Sequence, residues 1–417
     1  MTPSSLDLAL AVFCFGYPYV MAWYWSVGGL MFTWLRERRE RPHDQPPVLF
    51  EYPPISVLVP CYNEARQVDE TFAALDRVAY PDFEFIAIDD GSSDDTAARL
   101  DVLAARYPRM RVVRLARNGG KATAMNVGAL AARHELLVCI DGDTLLDPHA
   151  LTWLARRFGN DPGVGGITGN PRIRNRTSVV GRLQVGEFSS IVGLIKRAQS
   201  VYGLLFTASG AICAFRKRAL QDAGWWSPHT LTDDVDVSWR MQMAGWRIAF
   251  EPKALAWILT PETLRGLWRQ RLRWSEGGSA VALRAFPSLF RRSGWRMWPI
   301  WLNWLVSIAW AYATGAMLVA WCVNGLPSGR VLPLEGFGFI PGQAGMLLAI
   351  HYLLQALVAA FLDRRYEHGI MRAVFWVVWY PLAFWMLQAS TAMVGFPRAI
   401  VRWRQGGRWT SPDRGFR

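Results

Sequence analysis

The sequence predicts an α/β domain joined to transmembrane and interfacial α-helices, on three observations. Uncharged apolar stretches of membrane-spanning length lie towards both ends of the chain. Between them, over residues 55–260, apolar runs of strand length alternate with helical stretches, the pattern of a parallel sheet covered on both faces. The charged motifs of that middle segment fall at or just after strand ends, and open α/β sheets bind ligands beyond the carboxyl ends of their strands.

In chain order, residues 8–35 carry no charge after Asp7 and are long enough to span a bilayer. No basic segment precedes them and no small-residue cleavage site closes them, so they read as an uncleaved anchor, domain 1–35. Arg36, Arg38, Arg39 and Arg41 follow, which places the N-terminus outside and the next domain in the cytoplasm. A proline-rich linker, 46–54, leads into strands expected at Ile55–Pro60, Phe83–Asp89, Arg111–Leu115 and Leu136–Asp141, with helices near 64–78, 94–106 and 120–133. The cytoplasmic domain is bounded at 36–260, and 261–298 is an amphipathic interfacial segment. Apolar stretches at 299–323, 341–362 and 373–396 make up the C-terminal membrane region, 299–396. A basic tail, 397–417, follows. Pro381 makes the last stretch a candidate re-entrant or interfacial segment, which would return the arginine-rich tail to the cytoplasm.

Composition narrows the function. Of 417 residues, 46 are basic and 33 acidic, a formal charge of +13; 52% are hydrophobic, 13% aromatic and 22 are tryptophan. These values exclude a disordered chain and fit a membrane interface. The lysines are Lys121, Lys196, Lys217 and Lys253, so the positive excess is arginine, much of it flanking apolar segments. No arginine run coincides with a nucleic-acid module, so no nucleic-acid partner is expected. Cys14, Cys61, Cys139, Cys213 and Cys322 are scattered without a C-x-x-C pair, and the histidines lack metal-ligand spacing. Chemistry is therefore sought among the carboxylates.

Four motifs carry it. Asp89-Asp90-Gly91-Ser92 follows a strand; its acids could accept hydrogen bonds from a base or ribose, or form an Asx turn ahead of a helix cap at Asp94 or Asp95. Asp141-Gly142-Asp143 could converge on one hard divalent cation that also binds diphosphate, or be a surface turn. In Thr232-Asp233-Asp234, with Asp236 nearby, a helix cap accounts for one acid and leaves a general base for another. In Gln270-Arg271-Leu272-Arg273-Trp274 a helix would put Gln270, Arg273 and Trp274 on one face, offering an amide, a guanidinium for diphosphate and an indole for a sugar ring. The alternative is an ordinary amphipathic helix on the membrane, with Leu264, Trp268 and Leu272 as its apolar stripe.

The ordered set PCYNE (60–64), DDGS (89–92), DGD (141–143), TDD (232–234) and QRLRW (270–274) resembles the processive family 2 glycosyltransferases, which include cellulose, chitin, hyaluronan and poly-N-acetylglucosamine synthases. GNPRIRNR (169–176), VGEFSSIVGLIKR (185–197), RYEHG (365–369) and SPDRG (411–415) look most like the poly-β-1,6-N-acetylglucosamine synthases of bacterial biofilm matrix. The sequence departs at Asp233, where that family usually has Glu.

The resemblance implies a GT-A nucleotide-diphospho-sugar transferase fold and an inverting, processive transfer from UDP-GlcNAc. Asp89 and Asp90 would contact uridine and its ribose, with Pro60, Tyr62 and Glu64 lining the nucleotide pocket. Lys121, which could equally be a solvated helix start, would serve the same pocket. Asp141 and Asp143 would hold Mg²⁺ or Mn²⁺, and Asp234, beside Asp233, would be the base. Gln270, Arg273 and Trp274 would stabilise the departing diphosphate and hold the acceptor sugar. Ser209-Gly210 would lie near the acceptor or be only a tight turn. The implied partners are a UDP-sugar donor, a growing glycan acceptor, the lipid bilayer and a small accessory membrane subunit. The setting is a bacterial inner membrane, crossed several times. Rival expectations are another β-glycan synthase, a transferase to a lipid carrier and, outside enzymes, a membrane nucleotide-sugar sensor.

Overall fold

The computed structural model describes residues 5–328, 343–377 and 381–402. Helix α1 (Ser5–Phe32) continues through a wider π turn, Thr33–Glu37, into the linker. The first half of the α/β domain then runs β1 (Ile55–Cys61), α2 (Val68–Asp76), β2 (Phe83–Asp89), α3 (Thr96–Arg106), β3 (Met110–Arg114), α4 (Lys121–Ala131) and β4 (Leu136–Ile140). Each strand lies within a residue or two of its expected position. Alternate side chains explain why: Val57 and Val59 pack with Phe72, Leu75, Leu100 and Leu103 on one face, and Leu58 with Ala124 and Met125 on the other.

The second half is β5 (Leu145–Leu146), α5 (Ala150–Gly159), β6 (Val164–Ile173), α6 (Val179–Phe188), a π turn at Ser189–Leu194, α7 (Ile195–Tyr202), β7 (Ile212–Arg216), α8 (Lys217–Asp222), α9 (Asp233–Met243) and β8 (Arg247–Ile258). The eight strands form one sheet in the order β3-β2-β1-β4-β7-β6-β8-β5. The purely parallel sheet expected from the alternation is corrected here: β3, β2, β1 and β4 are parallel, but β7 runs antiparallel to both β4 and β6. β6 and β8 escape a periodicity search because glycines, prolines and charges interrupt them. Gly169 shows the reason, since a Cβ there would lie 2.7 Å from the Ala254 carbonyl, so the strands approach too closely for a side chain.

Helices α10 (Leu264–Leu289), α11 (Trp298–Ser328), α12 (Gln343–Asp363), α13 (Ala373–Val377) and α14 (Pro381–Val401) complete the chain. Among the described residues, three helical segments are long and apolar enough to cross a membrane: Leu8–Glu37, Trp295–Val319 and Gly345–Asp363. Of the last apolar stretch of the sequence, residues 373–377 and 381–396 are helical, and residues 378–380 fall outside the described residues. α14 lies along α10, its Gly395 seated against Ser275 and Glu276. The basic tail beyond residue 402, with the SPDRG motif, falls outside the described residues.

A buried ion network joins the apolar helices to the sheet. Arg197 on α7 pairs with Glu37 at 3.0 Å and Asp363 at 2.8 Å; Arg172 on β6 pairs with Asp363 at 2.5 Å and Glu367 at 2.7 Å. Tyr366 donates to Glu37 at 2.5 Å, and Arg176 also reaches Glu367. Arg172, Arg197, Glu37, Asp363 and Glu367 are all buried. Removing one partner strands an uncompensated charge, at about 3–5 kcal/mol. Arg197→Met is therefore expected to lower the thermal unfolding midpoint of the detergent-solubilised full chain and its yield in membranes. An unchanged midpoint would exclude a structural role for the network.

Candidate active site

Three loops meet beyond the carboxyl ends of β1, β2 and β3. The Asn63 N–H donates to Ser92 Oγ at 3.1 Å, the Glu64 N–H to Thr96 Oγ1 at 2.8 Å and the Ser93 N–H to Asn63 Oδ1 at 2.8 Å. Gly91 has φ of +66°, and a Cβ there would lie 2.6 Å from the Arg117 carbonyl carbon, so the third loop closes directly on it. Pro60 and Glu64 are buried in this junction and Tyr62 is half-buried. Asp89 accepts from the Ser92 N–H at 3.1 Å. Asp90 is fully enclosed, and its two oxygens accept from the N–H groups of Gly119 and Gly120 at 2.8 and 2.9 Å. Its carboxylate holds the turn that delivers Lys121.

Lys121 opens α4 and donates to Asp141 Oδ1 at 2.5 Å. Burial opposes its charge, but Asp141, Asp233 and Asp234 more than offset that and raise its pKa above the usual lysine value. Asp143, two residues on, is buried; burial and the adjacent Asp141 push it up to about 7. Acids crowded until one holds its proton are a donor set that suits a hard divalent cation. Among the described residues no group of three or more His, Cys, Asp or Glu is arranged to hold a metal alone. Diphosphate oxygens would thus complete the shell around Asp141 and Asp143. The Lys121 ammonium supplies part of the positive charge such an ion would bring.

Asp233 and Asp234 form the first turn of α9, after Thr232. Asp234 accepts from the N–H groups of Val235 at 2.9 Å and Gly210 at 3.3 Å. Burial and then Asp233 raise its pKa, while Lys121 and Arg273 pull it down. Asp236 is taken by Arg240, at 2.6 Å, and serves packing between α9 and the 223–225 turn. Ser209-Gly210 is a tight turn, and an added Cβ on Gly210 would stand 3.3 Å from Lys121 Nζ and 3.5 Å from Asp234 Oδ2.

α10 brings the last motif alongside. Arg273 is exposed and donates to the Leu231 carbonyl at 3.3 Å, close enough to act on Asp234. Trp274 packs against the apolar cluster that includes Ile173 and Ile258, with the Arg271 guanidinium 4.2 Å from its ring centre. The Gln270 amide oxygen is buried with no hydrogen-bond partner among the described residues. Arg271, buried and paired with Glu187 at 2.9 Å, was not singled out by sequence reasoning, because arginines within a motif look alike until burial separates them.

A cavity of about 400 Å³ lies among α1, α7, α11, α12 and α14, the size of a small-ligand pocket. Amides and aromatics line it, among them Gln199, Asn303, Gln355, Gln388 and Trp310, and its wall includes Phe206 and Thr207, just before Ser209.

α10 can approach Thr232 because Gly277 has no side chain: a Cβ there would lie 2.5 Å from Thr232 Cγ2. Gly277→Ala is expected to displace Arg273 and lower turnover more than tenfold. Affinity for a nucleoside diphosphate, measured by calorimetry, should stay within about twofold, because the loops after β1 and β2 are separate elements. Equal losses in both would show that the α10 contact holds the whole domain.

Comparison with known proteins gives one answer. Residues 53–277 match the family described as glycosyltransferase like family 2. The poly-β-1,6-N-acetyl-D-glucosamine synthase of Staphylococcus aureus (strain COL) is 36% identical over 402 residues, 96% of this chain and 97% of that one. Its counterpart in Staphylococcus epidermidis is 35% identical over 408 residues, with the same coverage. Among solved structures, a Pyrobaculum calidifontis mannosyltransferase in complex with GDP-Man and Mn²⁺ matches with a TM-score of 0.63 at 21% identity, covering 95% of this chain and 96% of that one, a likeness of fold.

Proposed function

Since the chain belongs to glycosyltransferase family 2, we propose that it is a processive synthase that polymerises N-acetylglucosamine from UDP-GlcNAc into poly-β-1,6-N-acetylglucosamine and passes the polymer across the membrane. The observation that carries this reading is the position of Asp234. It sits beside Lys121, which pairs with Asp141, and beside Gly210, three residues after Thr207 on the wall of a cavity whose amides and aromatic rings suit a sugar chain.

The nucleotide lies in the loops after β1 and β2, near Tyr62 and Asp89. Asp141 and Asp143 would hold Mg²⁺ or Mn²⁺, which when bound would neutralise charge on the departing diphosphate. Lys121 and Arg273 donate to the same oxygens. Asp234 takes the proton of the acceptor hydroxyl. That oxygen bonds to the anomeric carbon from the face opposite the nucleotide, and the carbon–oxygen bond to the diphosphate breaks, its electron pair leaving with UDP. An α-linked donor thus yields a β-linkage. No acid need protonate the leaving group, unlike in glycoside hydrolysis. Asp233 stands beside the base and raises its proton affinity. Trp274 and Gln270 hold the acceptor sugar.

The arginines after α1 and those at 364, 365 and 372 support a catalytic domain on the cytoplasmic side. Few spans are available to enclose a polymer, so a small membrane subunit is expected to complete the path.

Membranes carrying the full chain and that subunit, given labelled UDP-GlcNAc with Mg²⁺ or Mn²⁺, should make a long polymer that a β-1,6-N-acetylglucosaminidase digests. Asp234→Asn should lower synthesis by roughly 10²–10⁴-fold while UDP still binds. Asp234 must be deprotonated to act and its pKa is raised, so the rate should fall with decreasing pH at values above the ordinary aspartate range. A polymer resistant to the enzyme would overturn the linkage, and wild-type activity in Asp234→Asn would overturn the base.

A further inference from the structure

Lys196 has no part in the site as described, yet it is one of the most enclosed charges in the molecule, with 5% of its surface exposed. It lies on α7 just after the π turn Ser189–Leu194, in the segment that also supplies Glu187 and Arg197. Its Nζ donates to Thr168 Oγ1 at 2.8 Å, and the same hydroxyl accepts from the Ser209 N–H at 2.9 Å. The next residue, Gly210, donates its N–H to Asp234. The ammonium is thus tied to the proposed base through one hydroxyl and one turn of backbone.

Lys196 also lines the cavity among the apolar helices, on the same wall as Phe206 and Thr207. An ammonium has three N–H donors, and Thr168 takes one. Among the described residues no carboxylate pairs with it. Glu187, the acid that shares the cavity wall, is paired with Arg271 at 2.9 Å. A buried cation without a paired acid is costly to keep. Burial accordingly pulls its pKa down to about 8, with Asp234 acting in the opposite sense. A lysine serving only the core would have a carboxylate against it, as Lys253 has Glu40.

We propose that Lys196 is an acceptor-binding residue that donates hydrogen bonds to a hydroxyl or acetamido oxygen of the terminal sugar where the cavity meets the active site, setting the acceptor hydroxyl against Asp234. The inference rests on the glycan-synthase reading above. It also carries a charge preference: a neutral N-acetylated terminal sugar is accepted, and one with a free 2-ammonium group is repelled.

The test uses membranes containing the full chain and its small subunit, with β-1,6-linked N-acetylglucosamine oligosaccharides as acceptors and UDP-GlcNAc as donor. For Lys196→Gln, loss of a charged hydrogen bond should raise the acceptor KM by about tenfold or more and shorten the product. The donor KM and the affinity for UDP, measured directly as a check of folding, should stay within about twofold. Lys196→Arg should recover acceptor affinity in part. Wild type should favour N-acetylated over de-N-acetylated oligosaccharide, and Lys196→Gln should narrow that preference, a change that lost packing alone would not produce. Wild-type acceptor KM and product length in Lys196→Gln would overturn the proposal. So would a parallel loss of UDP affinity that Lys196→Arg does not repair. If the wild type makes no polymer from UDP-GlcNAc, the synthase reading fails, an outcome distinct from either of these.

Discussion

Two buried arginines hold the two halves of the molecule together. Arg197 and Arg172 share Asp363, at the end of an apolar helix, and reach Glu37 at the end of another and Glu367 beyond. Isolated, each of these charges would be expensive to bury; arranged as alternating partners, with Tyr366 completing Glu37, they neutralise one another. Such a network tolerates little sliding, because each guanidinium fork matches its carboxylates in one geometry. The consequence is positional. Arg172 lies on β6, four residues after Thr168, and Arg197 directly follows Lys196. The same clamp that fixes the apolar helices on the sheet therefore sets where the cavity opens relative to Asp234.

The site itself is an exercise in concentrated charge. Asp141, Asp143, Asp233 and Asp234 are gathered around Lys121 and Arg273, and burial strengthens every interaction among them. Asp141 raises the proton affinity of Asp143, and Asp233 that of Asp234. That suits a base at Asp234 and leaves Asp141 and Asp143 suited to a divalent cation and a diphosphate. Lys121 keeps its proton because three carboxylates act on it, whereas Lys196, with a hydroxyl as its partner, is pulled down to about 8. One side chain type thus has two electrostatic states within one region, set by what faces it.

Close backbone approach is the second constraint. Gly91 and Gly277 sit where a loop or helix meets its neighbour without room for a side chain: Gly91 of DDGS closes on Arg117, and Gly277 seats the helix that carries QRLRW against Thr232 of TDD. α10 reaches the TDD turn through Gly277, so a helix of amphipathic character doubles as the wall that carries Arg273.

Much of this was legible in the residues alone. The four parallel strands and the helices between them follow from period-two apolar runs that bury both faces, DDGS and DGD from clustered acids at strand ends, and TDD and QRLRW, which open α9 and lie within α10, from the rarity of clustered acids and planar donors. Local pattern suffices there because each signal lies within a few consecutive residues. β6 and β8 were not legible, since their glycines, proline and charges make sense only against the partner strand. Asp90 as a holder of the Gly119–Gly120 turn, Asp236 as the partner of Arg240, and Arg271 as the buried arginine of its motif were likewise invisible. Whether a polar side chain faces a ligand or a neighbour depends on what the fold places opposite it. For Lys196 that is Thr168, 28 residues away, and an open cavity; only the tertiary structure brings these together, because burial and partnership are properties of the space between segments and not of any one of them.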